Sequence, residues 1–257
     1  MAHVDRVRRL LHLQGSHELE RALLEGEIVA YEPHQTAAAG INSTFYVEIE
    51  PDLVAFHKPH DGIVPRIARD YGHSLDTPPI CECAAWQLAK NLGEPYDRLV
   101  PATVYRAVGS AEEDPAFWSE GSLALRLDGA AFKGSAVVRH AREDALAAGF
   151  FDALIGNQDR HAGQFRWDEA NSALGLLDHG FSFPVEGDLC RGAYFQSFRR
   201  REDARITDDE RQVLRRLLDD DELFGLAGIL EPDRAERLRW RAQRMLDLGV
   251  VLLKGVV

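Results

Sequence analysis

The sequence predicts an α+β protein in two lobes, with strands concentrated before Asp128 and helices after it. Three patterns predict this. Phe45, Val47 and Ile49 alternate with polar neighbours, Pro51-Asp52 turns the chain, and "LVAFHKP" alternates again, which marks two adjacent strands. Beyond Asp128-Gly129, Leu146, Phe150 and Leu154 recur at every fourth position with Phe151 and Ile155 beside them, giving one apolar helical face. No internal repeat or low-complexity block points to another architecture.

Taken in order, the first helix is expected in "HELERALLEGE", with the Ser16 hydroxyl accepting its unpaired amide protons and Gly26 ending it. "EIVAYE" follows as a strand, then the small-residue turn "TAAAGINST", in which Gly40 stands behind Ala37, Ala38 and Ala39. In "LVAFHKP" the period of two places Val54, Phe56 and Lys58 on one face. An ammonium beside two large apolar residues is costly unless an anion awaits it. Thr77, Pro78 and Pro79 open a helix over "ICECAAWQLAKNLG", and Gly93 closes it. "LVPATVYRAV" and "GSLALRL" read as two more strands, and "QFRWDEANSALGLLD" as a short hairpin among the later helices. Thr207 and Glu210 form a capping box ahead of "RQVLRRLL", and Pro232 suits the first turn of "DRAERLRWRAQRML". The final "LGVVLLKGVV" reads as a buried helix end or strand, and Trp86 and Trp240 as packing residues. The lobes are expected to be residues 1–128 and 129–257, with a ligand cleft between them.

Composition narrows the function. A chain of 257 residues with 45% hydrophobic content can bury a substantial core. Its formal charge of -12 disfavours nucleic acid and anionic membrane surfaces as partners. The first twenty residues lack the apolar core of a secretory signal, and the last apolar stretch is about half the length that crosses a bilayer, so a cytoplasmic location without membrane insertion is expected. Cys81, Cys83 and Cys190 form neither a paired framework nor a zinc knuckle. His57, His60 and His73 lack the spacing of a metal site.

One stretch carries chemistry, "GNQDRHAGQFRWDEANSALGLLDHGFSF" from Gly156 to Phe183. Phosphoryl transfer needs a group to orient the attacking hydroxyl, ligands for Mg²⁺, a lysine for phosphate charge and backbone amides near the nucleotide. Asp159 begins the loop after the apolar helix, from where it can accept a hydroxyl proton. Gln164, five residues on, can offer an amide oxygen to a metal, and Asp178 emerges at a sharp turn where it can ligate Mg²⁺. A hairpin between the two would return them to proximity. Lys58 needs a counterion, and Glu82 near the start of the next helix is the best-placed acid. His161 stands beside Asp159 either as a loop brace or as a proton carrier, and Arg160 either meets phosphate or pairs with an acid.

"GNQDRHAGQF" followed by "GLLDHG" resembles the catalytic loop and metal-binding turn of phosphatidylinositol 3-/4-kinase-like and HipA-like kinases. "GINSTFYVEI", "VAFHKP" and "CECAAWQLAKNLGE…LVPATVYR" are similar to the phosphate loop, lysine strand and glutamate helix of that group, especially its small actinobacterial members. The resemblance spans roughly residues 25 to 183, in the family's order. It implies a bilobal protein-kinase-like fold using ATP and Mg²⁺, with Lys58 on the ATP phosphates, Glu82 steadying Lys58, Asp159 as catalytic aspartate, Asp178 on Mg²⁺, and Ser43 and Thr44 over the phosphates.

Where the family carries Asn, this chain has Gln164, whose extra methylene shifts the amide oxygen while keeping the same donors and acceptors. Mg²⁺ demands near-octahedral geometry, so Gln164 and the glycine-poor turn leave a pseudokinase-type nucleotide-binding module beside the kinase, and an AMP transferase on the same fold stands as a second alternative. The acceptor is a hydroxyl on a protein or small molecule in preference to a lipid. Arg199, Arg200 and Arg201 in "SFRRRED" read first as a solvated run balanced by Glu202 and Asp203, and second as a receiver for an anionic substrate.

Overall fold

The alternating segments pair into one antiparallel sheet. The computed structural model describes residues 5–7, 9, 11, 14–15, 17–34, 43–109, 119–130, 141–185 and 194–252. In it β1 (Ile28–Pro33), β2 (Phe45–Ile49), β3 (Leu53–Pro59), β4 (Thr103–Val108) and β5 (Ser119–Leu125) stand in the order β1-β2-β3-β5-β4. Tyr46 faces Phe56 and Val47 faces Ala55, so the turn at Pro51-Asp52 sets the expected register. On the other side of β3, Lys58 lies opposite Ser122 of β5, and Gly121 lies so close to the Lys58 carbonyl that a Cβ there would collide with it.

The parity of β3 is as expected, and the more buried of its faces is the one opposite Lys58. Ala55, His57 and Pro59 are the buried face, while Val54, Phe56 and Lys58 are half-buried. Both faces carry apolar side chains, so alternation alone names the faces without saying which one is covered. His57 is fully enclosed, with the Tyr31 hydroxyl 3.3 Å from its Nδ1. Phe56, on the face of Lys58, stacks on the His34 ring at 4.9 Å between centroids.

Helix α1 (Glu18–Glu25) is capped one residue later than expected, by His17, whose Nδ1 accepts from the Leu19 amide at 3.2 Å. Glu20 completes the box by accepting from the His17 amide, and its other oxygen receives Trp86 Nε1 and Lys90 Nζ, each at 2.8 Å. Ser16 lies outside the described residues, as do Gly40 and Cys190. A short helix that the sequence reading did not foresee, α2 (Pro65–Asp70), fills the connection after β3. Six residues are under two turns, too few for a helical stripe. Helix α3 (Thr77–Leu92) is buried almost all round and ends at Gly93, whose φ of 79 suits glycine. The short α4 (Tyr96–Leu99) follows it.

Later helices pack together. Phe150, Phe151 and Leu154 of α5 (Arg142–Ile155) join Phe195 of α6 (Tyr194–Glu202), Leu214 and Leu217 of α7 (Asp208–Asp219), and Leu238 and Met245 of α8 (Pro232–Leu248) in the core. Thr207 and Glu210 make the expected capping box on α7. The hairpin β6 (Phe165–Asp168) and β7 (Ala173–Leu176) interrupts the helices and reaches back to Ala130, which exchanges two hydrogen bonds with Trp167 at 3.1 and 3.2 Å. Trp86 is buried, whereas Trp240 is 37% exposed with the Arg237 guanidinium 4.3 Å above its ring. The buried stripe of α8 runs through Leu238, Arg241, Ala242 and Met245, and Trp240 falls off it. After α8 the chain runs on as a buried strand-like end, with the Val251 amide 2.8 Å from the Ala204 carbonyl.

Candidate functional site

Four elements converge: β3, α3, the loop after α5 and the turn after β7. Lys58 Nζ lies 2.5 Å from Glu82 Oε1 and 2.8 Å from Asp178 Oδ1. Glu82 sits in the second turn of α3 with its side chain 5% exposed. Its other oxygen accepts the His179 amide at 2.9 Å, and the His179 ring Nδ1 stands 3.7 Å away. Burial alone would push Glu82 up, but Lys58 and the His179 contacts outweigh it and hold the carboxyl well below its ordinary range. Burial likewise pulls Lys58 down, while Asp178 and Glu82 overcome it and hold the ammonium above lysine's ordinary value. Burial lowers His179, so its ring is neutral at neutral pH.

The loop that carries Asp159 is held by bonds within the chain. Helix α5 stops at Gly156, whose φ of 64 turns the chain out of the helix. Asn157 Oδ1 accepts the Asp159 amide at 2.9 Å, an Asx turn that aims the next side chains. Arg160 is wholly buried and pairs with Asp152 of α5 at 3.0 Å, while Nη1 holds the Gln164 carbonyl at 2.8 Å and the Leu177 carbonyl. It therefore pairs with an acid in the fold and braces the loop against the end of the hairpin at Leu177. His161 is exposed, and its Nδ1 accepts the Gly163 amide at 3.0 Å.

Hairpin pairing continues one step past β6 and β7, where the Leu177 amide donates to the Gln164 carbonyl at 2.9 Å. This brings Gln164 and Asp178 together as the sequence pattern expects. Gln164 Nε2 lies 2.8 Å from Asp159 Oδ2 and 3.2 Å from Asp178 Oδ2, so it is the amide nitrogen that bridges the two carboxylates. The amide oxygen is 3.4 Å from the His161 amide. Asp178 itself takes a left-handed backbone, φ 60, which aspartate tolerates better than most residues and which lifts its carboxylate out of the strand. Lys58, Glu82, Asp178, Gln164 and Asp159 thus form one continuous chain of polar contacts.

Glu82 and Asp178 hold the Lys58 ammonium, Asp159 joins them only through Gln164, and among the described residues no group of three or more His, Cys, Asp or Glu side chains is gathered for a metal ion. Asp178, Asp159 and the Gln164 amide nonetheless carry oxygens of the kind that a hard divalent cation such as Mg²⁺ takes, since it needs only one or two carboxylates and fills its remaining positions with phosphate oxygens and water. Ser43 and Thr44 flank the site strand: the Ser43 amide donates to the Gly62 carbonyl at 2.9 Å, and the Thr44 carbonyl accepts the His34 amide at 2.9 Å. The rest of the expected phosphate turn, 35–42, lies outside the described residues.

Two neighbours escaped the sequence reading. The Tyr71 hydroxyl donates to Asp159 Oδ1 at 3.2 Å, and its ring stacks on Phe181 with centroids 4.2 Å apart. No local pattern could have announced a contact across so many residues. Asn157 was legible in principle, since an Asn two residues before Asp159 has the spacing of an Asx turn. The basic run divides: Arg199 is buried against Glu210 at 2.7 Å and caps the carbonyls of Leu146 and Arg205, while Arg200 and Arg201 are exposed.

No protein-family profile matches the chain, and no curated protein matches it in sequence. Among solved structures, a crystal structure of the Golgi casein kinase superposes with a TM-score of 0.57 at 16% identity, covering 89% of this chain and 74% of its own. A complex of Rv3197 with erythromycin from Mycobacterium tuberculosis covers 72% of this chain and 52% of its own at a TM-score of 0.33 and 14% identity, and carries no weight here. The first match establishes a bilobal kinase-like fold.

Proposed function

We propose that this kinase-like fold is a working Mg-ATP-dependent phosphotransferase that moves the γ-phosphate to a hydroxyl. The observation that carries the reading is the unbroken polar chain from Lys58 through Asp178 and Gln164 to Asp159, drawn from both halves of the sequence. The resemblance of "GNQDRHAGQF" and "GLLDHG" to phosphatidylinositol 3-/4-kinase-like and HipA-like kinases supports it.

In this reading residues 1–128 form the nucleotide-holding lobe and 129–257 the lobe that carries the acids. Lys58 contacts phosphate oxygens, and Glu82 keeps the ammonium aimed when nothing is bound. Asp159 accepts the proton of the attacking hydroxyl. Asp178 and Gln164 are the residues that would hold Mg²⁺, Gln164 by turning its amide oxygen inward. Mg²⁺, when bound, neutralises charge on the transferring phosphoryl group. His161 fixes the loop through Gly163, and Ser43 and Thr44 lie at the end of the turn that would cover the phosphates. The acceptor is a protein or small-molecule hydroxyl in a cytoplasmic setting. None of the described helices is long and apolar enough to cross a membrane.

The orientation of Gln164 favours one rival. Its nitrogen, not its oxygen, faces both carboxylates, which suits a nucleotide-binding module that performs no transfer. Incubating lysate proteins and metabolites with the chain and isotopically labelled ATP separates the cases by mass spectrometry. A phosphoryl mass shift that vanishes with Asp159→Ala is the expected result. Binding without any shift marks the module, and an adenylyl shift marks AMP transfer.

A further inference from the structure

We infer that the chain's own first acceptor is Tyr71, phosphorylated within the same molecule. The inference rests on the phosphotransferase reading above, because it assigns to Tyr71 the place that reading leaves for the attacking hydroxyl. An acceptor must bring its O–H within hydrogen-bond reach of the proton-accepting carboxylate. The Tyr71 hydroxyl already does so, 3.2 Å from Asp159 Oδ1, while Gln164 occupies Oδ2 and links it to Asp178. The metal-holding acid is therefore three contacts from that hydroxyl, and the phosphate-binding lysine is one further.

The contact is built rather than incidental. The Tyr71 amide closes α2 by donating to the carbonyls of Ile67 and Ala68, each at 3.2 Å. Gly72, at φ 70, then reverses the chain, and buried Arg234 fixes the reversal by donating to the Gly72 carbonyl at 2.7 Å. Phe181, three residues past Asp178, supports the ring from below at an interplanar angle of 19°. A phenol held this way has few rotamers left to lose, so its approach to Asp159 is prepaid in entropy.

The step balances with ATP as the only co-substrate. The Tyr71 oxygen forms a bond to the γ-phosphorus, the bond from that phosphorus to the β,γ-bridging oxygen breaks, and ADP leaves with the electron pair. Asp159 takes the phenolic proton and releases it to water. The product sets a phosphate of charge near -2 against Asp159 and Asp178, a like-charge contact that drives the Tyr71 segment outward and opens Asp159 to other hydroxyls. Self-modification thereby primes the site for its external acceptor.

The test is intact-mass analysis and peptide mapping of the full chain after incubation with Mg-ATP. The expected result is one phosphoryl group on Tyr71, gained at a rate per molecule independent of protein concentration, and absent from both Tyr71→Phe and Asp159→Ala. Without nucleotide, Tyr71→Phe and Asp159→Ala should shift the melting temperature non-additively, since each removes the same contact. ATP turnover with Tyr71 unlabelled overturns the inference and leaves the phosphotransferase reading standing. An unlabelled wild type whose Tyr71→Phe variant transfers faster to added acceptors also overturns it, assigning the hydroxyl to obstruction alone. No turnover and no label with any acceptor removes both readings together.

Discussion

Lys58 is the residue on which the two halves of the site depend, and its environment makes opposite predictions for two substitutions. Lys58→Met leaves the Glu82 carboxylate, 5% exposed, with only the His179 contacts as compensation. Breaking a buried pair costs about 3–5 kcal/mol, and with Lys58 26% exposed water softens this to about 1–3 kcal/mol. Adding Glu82→Gln to that variant should restore part of the loss in urea unfolding, because the buried charge goes with its partner. No recovery in the double variant would mean that the pair is not what ties β3 to α3. Gln164 gives a second residue-scale expectation. Gln164→Ala removes the arm between Asp159 and Asp178, and the Mg²⁺ concentration for half-maximal nucleotide binding should rise about tenfold or more. An unchanged Mg²⁺ requirement excludes Gln164 from the metal's surroundings.

At the scale of elements, the loop after α5 owes its shape to Arg160 and Asp152, both fully enclosed. Arg160→Met strands one carboxylate and the carbonyls of Gln164 and Leu177, an expected loss of about 3–5 kcal/mol in urea unfolding. Arg160→Lys should lose most of the same stability, because a point charge cannot reproduce a fork that serves an acid and two carbonyls at once. A Lys variant as stable as wild type would reduce the brace to simple charge pairing. The same loop explains what was legible in the sequence. Asp159, Gln164 and Asp178 lie within one hairpin's reach, so their spacing and two strands sufficed to bring them together. The β2–β3 alternation and the Thr207 cap were legible for the same local reason. Helix α2 was not, being under two turns, nor was the open face of β3, since Phe56 and Ala55 are both apolar. The Tyr71 contact lay beyond reach because it depends on packing between Phe181 and a segment 88 residues from Asp159.

For the whole molecule, acid is the condition to which this architecture is most exposed, because buried histidines stand as neutral rings in different parts of it, His57 and His73 the most strongly shifted. His57 lies inside the sheet, and burial lowers it to about 4 despite the opposing pull of Asp61. His73 follows the Tyr71 turn against Phe181, and burial, reinforced by Arg234, lowers it to about 3. Among the described residues neither nitrogen of His73 has a hydrogen-bond partner that would favour its charged form. Between the ordinary histidine value of 6.5 and these folded values the unfolded chain binds more protons than the native one, so stability rises with pH across that window. Stability present above pH 6.5 is therefore lost progressively as pH falls toward 4, by up to about 1.4 kcal/mol per pH unit for each ring. Glu82 adds to the loss only further down: its folded value is depressed, so its contribution is complete above its ordinary value of 4.5 and fades below it. Urea unfolding at a series of pH values should show the decline beginning near 6.5, before any carboxylate titrates. His73→Phe should make that upper part of the curve shallower by its own share, the His57 contribution remaining, and leave the lower part in place. A wild-type curve that is level from pH 7 to 5 would place water or a countercharge beside both rings and refute their burial as neutral groups.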